Sequence, residues 1–355
     1  MTSVSELTLN LTPQARLDLI DIPGLIAKRY GDVLSGYPKA AYYSYHTTAG
    51  YLDQQLCAQL NHNCASLQDF VGYYQGLFPP NADYHHDQLD LRSELTPEQK
   101  LHEPRNADAH LTFISSGLAN LATYPNAPGV PVYFIDLDGT NGKERRQRRT
   151  TVIGYNREEL VDRTKVSVPV SKHAIDSVNL QDKTVGLFDQ LRAKAQRLGI
   201  GRGRIDISLE TQERNAGLTV NEYETLLMQH DMVEVLRNPL RFMAERGKHA
   251  LLDLRSVPSK VKGYARYDLV QFINEFIDST GLSGSMFERL IYRFMAYPAS
   301  RRLRMKRSVS LLVLDRDGSG RGDIVEGTYQ SPILIQWKAS RSRSRVLKVD
   351  FIQFR

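Results

Sequence analysis

Cysteine is nearly absent: Cys57 and Cys64 are the two thiols in 355 residues. Their proximity leaves a disulfide open. The opening stretch MTSVSELTLNLTPQ has neither the basic segment nor the apolar core of a secretory signal, so reduced, partly buried thiols and a cytoplasmic location are expected. Long apolar runs are also missing. None approaches the roughly 20 residues that cross a bilayer as a helix, so no membrane partner is expected. Nor is there a strong bias of charge or polarity: 41% of residues are hydrophobic and 24% charged, which excludes disorder as a description of the whole chain. The length exceeds one average domain and suits two.

The formal charge of +6 is small for this size. Much of it sits in arginine clusters: Arg145, Arg146, Arg148 and Arg149; Arg301, Arg302, Arg304 and Arg307; Arg341, Arg343 and Arg345. Guanidinium forks suit phosphate groups. The plainer reading is solvated turn and strand residues. The clusters lack the interleaved aromatics of a base-stacking platform, which argues against nucleic acid.

The chain contains an internal repeat. GYPKAAYYSYHTTAG (36–50) aligns without gaps on GRIDISLETQERNAG (203–217), each a strand pattern running into a turn. Helical patterns precede both, LIDIPGLIAKRYG and LFDQLRAKAQRLG, and follow both, DQQLCAQLNHNCASLQDFVGYY and VNEYETLLMQHDMVEVLRN. VYFIDLDGTNG (132–142) then pairs with SLLVLDRDGSG (310–320), each after a Tyr-Pro at 124–125 and 297–298. Two tandem modules are expected, 1–170 and 171–355, with SVPVSK at the boundary.

The first module concentrates groups that bind metals: His46, His62, Tyr84-His85-His86-Asp87 and Asn106-Ala107-Asp108-Ala109-His110. Imidazoles and a carboxylate converging from separate elements are what a divalent ion requires. In this reading His46 ends a strand, and the apolar HLTFISSGL opening at His110 pairs near it. The alternative is histidines that merely bond the backbone at strand ends.

His46-Thr47-Thr48-Ala49-Gly50, Tyr84-x-His86-Asp87 and Asn106-x-x-Ala109-His110-Leu111 resemble the motif series of the YjbQ family, the secondary thiamine-phosphate synthases. The second module adds Ala216-Gly217-Leu218-Thr219-Val220-Asn221-Glu222, His230-Asp231-Met232, and Gly322-x4-Gly327-Thr328-Tyr329-Gln330, where Tyr replaces the family's Trp. The Arg343–Arg345 tail fits the basic strand that follows. The departures are complementary. The first module has Asp53-Gln54-Gln55 in place of Asn-Glu and lacks Gly-Thr-Trp-Gln; the second has Glu213 at the place of His46 and no histidine pair around 264–268.

The resemblance implies an α+β fold of two YjbQ-like modules, each a mostly antiparallel β-sandwich with two helices. It implies a divalent metal, zinc or magnesium, on His46, His86 and His110, with Asp87 as ligand or neighbour and Glu222 and Gln330 facing them from the second module. Arg145, Arg146 and Arg148 would bind the phosphate of a small metabolite, and the assembly would be a homo-oligomer, a trimer by analogy. The expected function is a metal-assisted transferase of the thiamine-phosphate synthase type. A non-catalytic metal- or metabolite-binding protein, with the second module a structural remnant, is the alternative.

Three further motifs are set aside. Phe134-Ile135-Asp136-Leu137-Asp138-Gly139-Thr140 copies the nucleophile segment of haloacid-dehalogenase-type phosphatases, but a basic stretch follows it, and a repeated hairpin turn accounts for it better. The alternate oxygens of Asp136, Asp138 and Thr140, and of Asp315, Asp317 and Ser319, resemble a calcium loop without the EF-hand glycine and glutamate. Gly199-x-Gly201-x-Gly203 lies between a helix and a strand, the reverse of a dinucleotide fingerprint.

Overall fold

The computed structural model describes residues 5–237, 303–316 and 318–355. Tyr297-Pro298, Arg301, Arg302, Asp317 and the 264–268 segment lie outside the described residues. The fold is α+β, and every named strand pairing is antiparallel.

Two sets of sheets share one plan. In the first, Ser5–Leu11, Arg148–Tyr155, Lys39–Ser44 and Leu121–Pro125 form a four-stranded sheet in that order, and Asp18–Asp21, Tyr133–Asp136 and Ala49–Gly50 form a three-stranded one. In the second, Glu158–Pro169, Ser344–Phe354, Arg202–Leu209 and Ser308–Leu314 repeat the four-stranded order, with Asp323–Ile324 added at the edge. Asp176–Asn179, Ser331–Gln336 and Ala216–Asn221 repeat the three-stranded order. A helix follows the second strand of each set closely: Ile22–Tyr30 and Leu187–Arg197.

The structure revises four expectations. Glu158–Pro169 pairs along its whole length with Ser344–Phe354, as Ser5–Leu11 does with Arg148–Tyr155. It therefore belongs to the second set of sheets, and the change of sheet falls at residues 156–157, before SVPVSK; the proline there ends a strand instead of a module. The 132–142 and 310–320 segments do not correspond. Tyr133–Asp136 is the central strand of a three-stranded sheet, whereas Ser308–Leu314 lies beside Arg202–Leu209 in the five-stranded one. An apolar run ending in Asp-Gly marks any strand leaving a sheet, so the likeness was of turn chemistry alone. The HLTFISSGL segment is helical as far as Ser116, in the helix Ala107–Ser116 that Gly117 ends, and the first set carries more helices than the two expected.

Local sequence explains these elements. Arg202–Leu209 alternates partly exposed and buried residues, placing Ile205, Ile207 and Leu209 in one core with Leu187, Leu191 and Ala195 of the helix that precedes it. Asp21 caps Ile22–Tyr30 by accepting from the Gly24 N–H, and Gly31 leaves that helix at φ 68°.

Ala107–Ser116 is unusual because all ten residues are buried. Ala109 and Phe113 pack into the first core, while Ala107, Leu111 and Ile114 pack with Leu227, Met228, Met232 and Val235 of the second half. Complete burial of Leu111, Phe113 and Ile114 contributes roughly 1.5–3 kcal/mol each. Ser115 and Ser116 satisfy their hydroxyls on carbonyls one turn back. The helix is thus wedged between the halves. A second junction joins the large sheets, where Tyr43, Ile153 and Tyr155 meet Leu312, Leu314, Val325 and Phe354. There Gly327 approaches the Tyr45 carbonyl so closely that any Cβ would collide with it.

Candidate metal centre

His110 lies on the wedged helix, four residues after Asn106, whose carbonyl accepts the His110 N–H. His86 lies on a non-helical turn preceding it. Both are 1% exposed. From the second half, Ala216–Asn221 ends against them and delivers Asn221 and Glu222. His86, His110 and Glu222 each present one ligand atom, and these atoms lie within 4.8 Å of one another. A tetrahedral ion with bonds of 2.0–2.2 Å needs edges of about 3.4 Å, so closure requires side-chain movement of about 1 Å.

Each histidine is locked in the state that exposes its Nε2. Asn221 donates from Nδ2 to the Thr47 carbonyl at 2.8 Å and accepts the Glu222 N–H on Oδ1 at 2.9 Å. Its oxygen therefore faces His110 Nδ1, 2.8 Å away, and Nδ1 must carry the proton. His86 Nδ1 stands 3.0 Å from Asp87 Oδ1, an acceptor that also takes the Ala107 N–H. Orienting acceptors of this kind fix the ring and leave the opposite nitrogen's lone pair for a ligand. Burial, the largest influence, lowers the His110 pKa to about 4, so this imidazole is neutral at pH 7.

Arg92 is the charged neighbour that sequence reasoning missed. It is 2% exposed. Its guanidinium contacts Glu94 at 2.6 Å, Glu222 at 3.2 Å and Glu103 at 3.4 Å, and it lies 3.5 Å from His86 Nε2. Three carboxylates thus face one guanidinium, and the excess of negative charge suits a divalent cation. Burial raises the Glu103 pKa, with Arg92 opposing it. LDLRSEL itself holds only Glu94; Glu103 and above all Glu222 come from elsewhere in the chain, so the segment does not reveal the cluster.

The other expected residues do different work. His46 Nε2 accepts the Arg149 N–H at 2.8 Å, which commits that nitrogen to the backbone. Glu213, its counterpart, accepts the Val346 N–H at 2.9 Å. Both side chains tie a strand end to its neighbour. Gln330 donates to the Ser44 and His46 carbonyls and accepts from Tyr43 and the Gly327 N–H, so its amide braces the His46 turn and does not face the imidazoles. His62 sits at φ 50° between two helices and is outside the cluster.

The arginines expected to hold phosphate are largely committed. Arg148 forms a bidentate pair with buried Asp136 at 2.7 and 2.9 Å and reaches Thr48 and the Asp138 carbonyl. Arg146 binds Asp138 at 2.7 Å, and Arg145 is exposed on a short hairpin. Asp136 and Asp138 are therefore ion-paired structural groups, which leaves neither as a free nucleophile. Both cysteines are free thiols.

No protein-family model matches the sequence, and no curated protein matches it. Several solved structures are similar. A YbjQ-like protein of unknown function from Sulfolobus solfataricus P2 is 16% identical, with a TM-score of 0.28, over 56% of this chain and 99% of its own. A hypothetical protein from Aeropyrum pernix K1 is 14% identical, with a TM-score of 0.27, over 54% and 98%. An uncharacterised YjbQ/UPF0047 protein from Clostridium acetobutylicum is 12% identical, with a TM-score of 0.25, over 53% and 98%.

Proposed function

We propose that this protein is a metal-assisted enzyme whose divalent ion is held by His86, His110 and Glu222, and that it acts on a phosphate-bearing small molecule. The observation that carries this reading is the approach of three ligand atoms to within 4.8 Å, with both imidazoles locked for Nε2 ligation. Two nitrogens and one carboxylate oxygen are a donor set that zinc accepts while keeping a position open. When bound, the ion supplies Lewis acidity for developing negative charge on a phosphate oxygen or leaving group.

The chain's own residues set the rest. Arg92 holds a fixed positive charge against Glu222 and His86, where an anionic group of the substrate would be met. His110, neutral at pH 7, does not repel the cation. Glu222 contributes the charged ligand, so the site needs both halves of the chain. The motif resemblance to the YjbQ family makes thiamine-phosphate synthesis the activity to assay first, and tandem duplication the origin of the two halves.

The non-catalytic alternative is favoured by one feature: the Arg92 guanidinium already occupies Glu222 and lies against His86 Nε2. Elemental analysis of purified protein together with turnover of phosphorylated substrates separates the readings. Stoichiometric metal with metal-dependent turnover is the expected result. Bound metal without turnover supports the alternative in its metal-binding form, and absence of metal binding under saturating zinc, manganese or magnesium defeats the enzyme reading and leaves metabolite binding.

A further inference from the structure

We infer that Asp231, carried by the second half, is the positioning residue of this centre: its carboxylate grips the His85–His86 main chain and so aims His86 Nε2 at His110 and Glu222. The inference rests on the metal-centre reading above.

The His85–His86 turn has no strand or helix to hold it. Its own backbone bonds, Asp87 N–H to Tyr84 O and Gln88 N–H to His85 O, do not use the His85 or His86 N–H groups. Asp231 takes both: His85 N–H on Oδ1 at 2.9 Å and His86 N–H on Oδ2 at 3.0 Å. A carboxylate that spends each oxygen on one of two consecutive amides fixes the orientation of the peptide between them, and hence the direction of the His86 Cα–Cβ bond. The clamp is dry. Asp231 is fully buried, closing the π-helical segment Leu226–Asp231, and His85 covers it with Nδ1 3.4 Å from Oδ1. The His85 ring in turn stacks on His230 at 4.7 Å and 23°.

Asp231 touches no ligand atom of the cluster. Its effect passes through the main chain to His86, whose Nδ1 is then held by Asp87. The second half thereby supplies the centre with a ligand in Glu222, an orienting amide in Asn221 and a backbone clamp in Asp231. That division of labour assigns the second half a part in the site beyond structural support.

The test uses the full-length, chelator-stripped protein. Asp231→Asn is isosteric but turns an NH2 toward a backbone N–H. Zinc competition titration is expected to show affinity weakened about 10–100-fold with an unchanged circular dichroism spectrum. A purely structural role would lower the unfolding midpoint and leave the zinc affinity of the folded protein at the wild-type value, which overturns the inference. Hydrogen exchange on metal-free wild-type protein provides the second measurement. The His85 and His86 amides should exchange slowly despite lying in an irregular turn, and exchange at the rate of an open loop also overturns the clamp. If wild-type protein binds no zinc, the metal-centre reading fails, while the exchange rates still decide whether Asp231 holds the turn.

Discussion

His110 Nδ1 lies 2.8 Å from Asn221 Oδ1, a bond that crosses from one half of the chain to the other. Asn221 is fully buried and also serves Thr47 O and Glu222 N–H. Asn221→Leu would strand three polar groups at once, at roughly 1–3 kcal/mol for each group left unsatisfied. Zinc affinity should fall by about 10–100-fold as His110 loses its fixed tautomer. Asn221→Asp keeps the acceptor for His110 and should fall between wild type and Leu in both urea unfolding and zinc titration. Wild-type affinity in the Leu variant would show that the tautomer is set by something else.

How far this centre was legible in sequence depends on the kind of contact. His86 and His110 stood out because ligand-type side chains near one another in a small module invite convergence, and the structure does bring them together. Glu222 was visible as a motif residue, but its approach to them required the two halves to dock. Arg92 was invisible: a lone arginine among acidic residues reads as solvated surface, and its contact with Glu222, 130 residues away, forms only when the two halves meet. His46 misled because residue type shows that an imidazole can bind a metal, not which donor already occupies its nitrogen. The helix around His110 reads as a strand in sequence because its burial on all sides removes the polar stripe that reveals helical period.

The repeat itself was legible where both copies keep the same backbone task. Lys39–Ser44 and Arg202–Leu209 do occupy corresponding strands, and His46 and Glu213 perform the same tie despite different chemistry. The Asp-Gly landmark failed because its residues report a turn and carry no information on which sheet the strand joins.

His46 should leave a mark on acid stability. Burial first, and then Arg148, Arg149 and Arg146, lower its pKa from 6.5 to about 3. Between those values the unfolded chain carries a proton that the folded protein excludes, so stability is full above pH 6.5 and falls as pH is lowered toward 3. The contribution has a slope of up to about 1.4 kcal/mol per pH unit. His46→Gln keeps an acceptor for the Arg149 N–H and removes the titration. Urea unfolding from pH 7 to 4 should therefore show a shallower decline in the variant, and its zinc affinity at pH 7 should match wild type. A tenfold loss of affinity would return His46 to the ligand set.

Arg148 and Asp136 test whether the 145–149 cluster is structural. Asp136 is wholly buried and its carboxyl is pushed up by burial, with Arg148 opposing the shift. Arg148→Met leaves that carboxylate without its partner, which should cost about 3–5 kcal/mol in urea unfolding. Arg148→Met with Asp136→Leu removes both charges and should recover a large part of the loss. Equal destabilisation in the single and double variants would contradict a pairwise role for the two residues.

Arg92 is where stability and metal binding should part company. Its buried guanidinium pairs with Glu94, Glu103 and Glu222, which keep part of their surface in solvent, so Arg92→Met should destabilise the metal-free protein by about 1–3 kcal/mol. The same change removes a positive charge that contacts Glu222 and His86, the groups assigned to the ion. Zinc should consequently bind tighter, by roughly tenfold for a gain of about 1.4 kcal/mol, and should restore part of the lost stability through linkage. If Arg92 also meets the substrate's anionic group, turnover falls even though the metal is held more firmly. Calorimetric zinc titration of wild type and Arg92→Met decides the first point: weaker binding in the variant would mean that Arg92 organises Glu222 for the ion instead of competing with it.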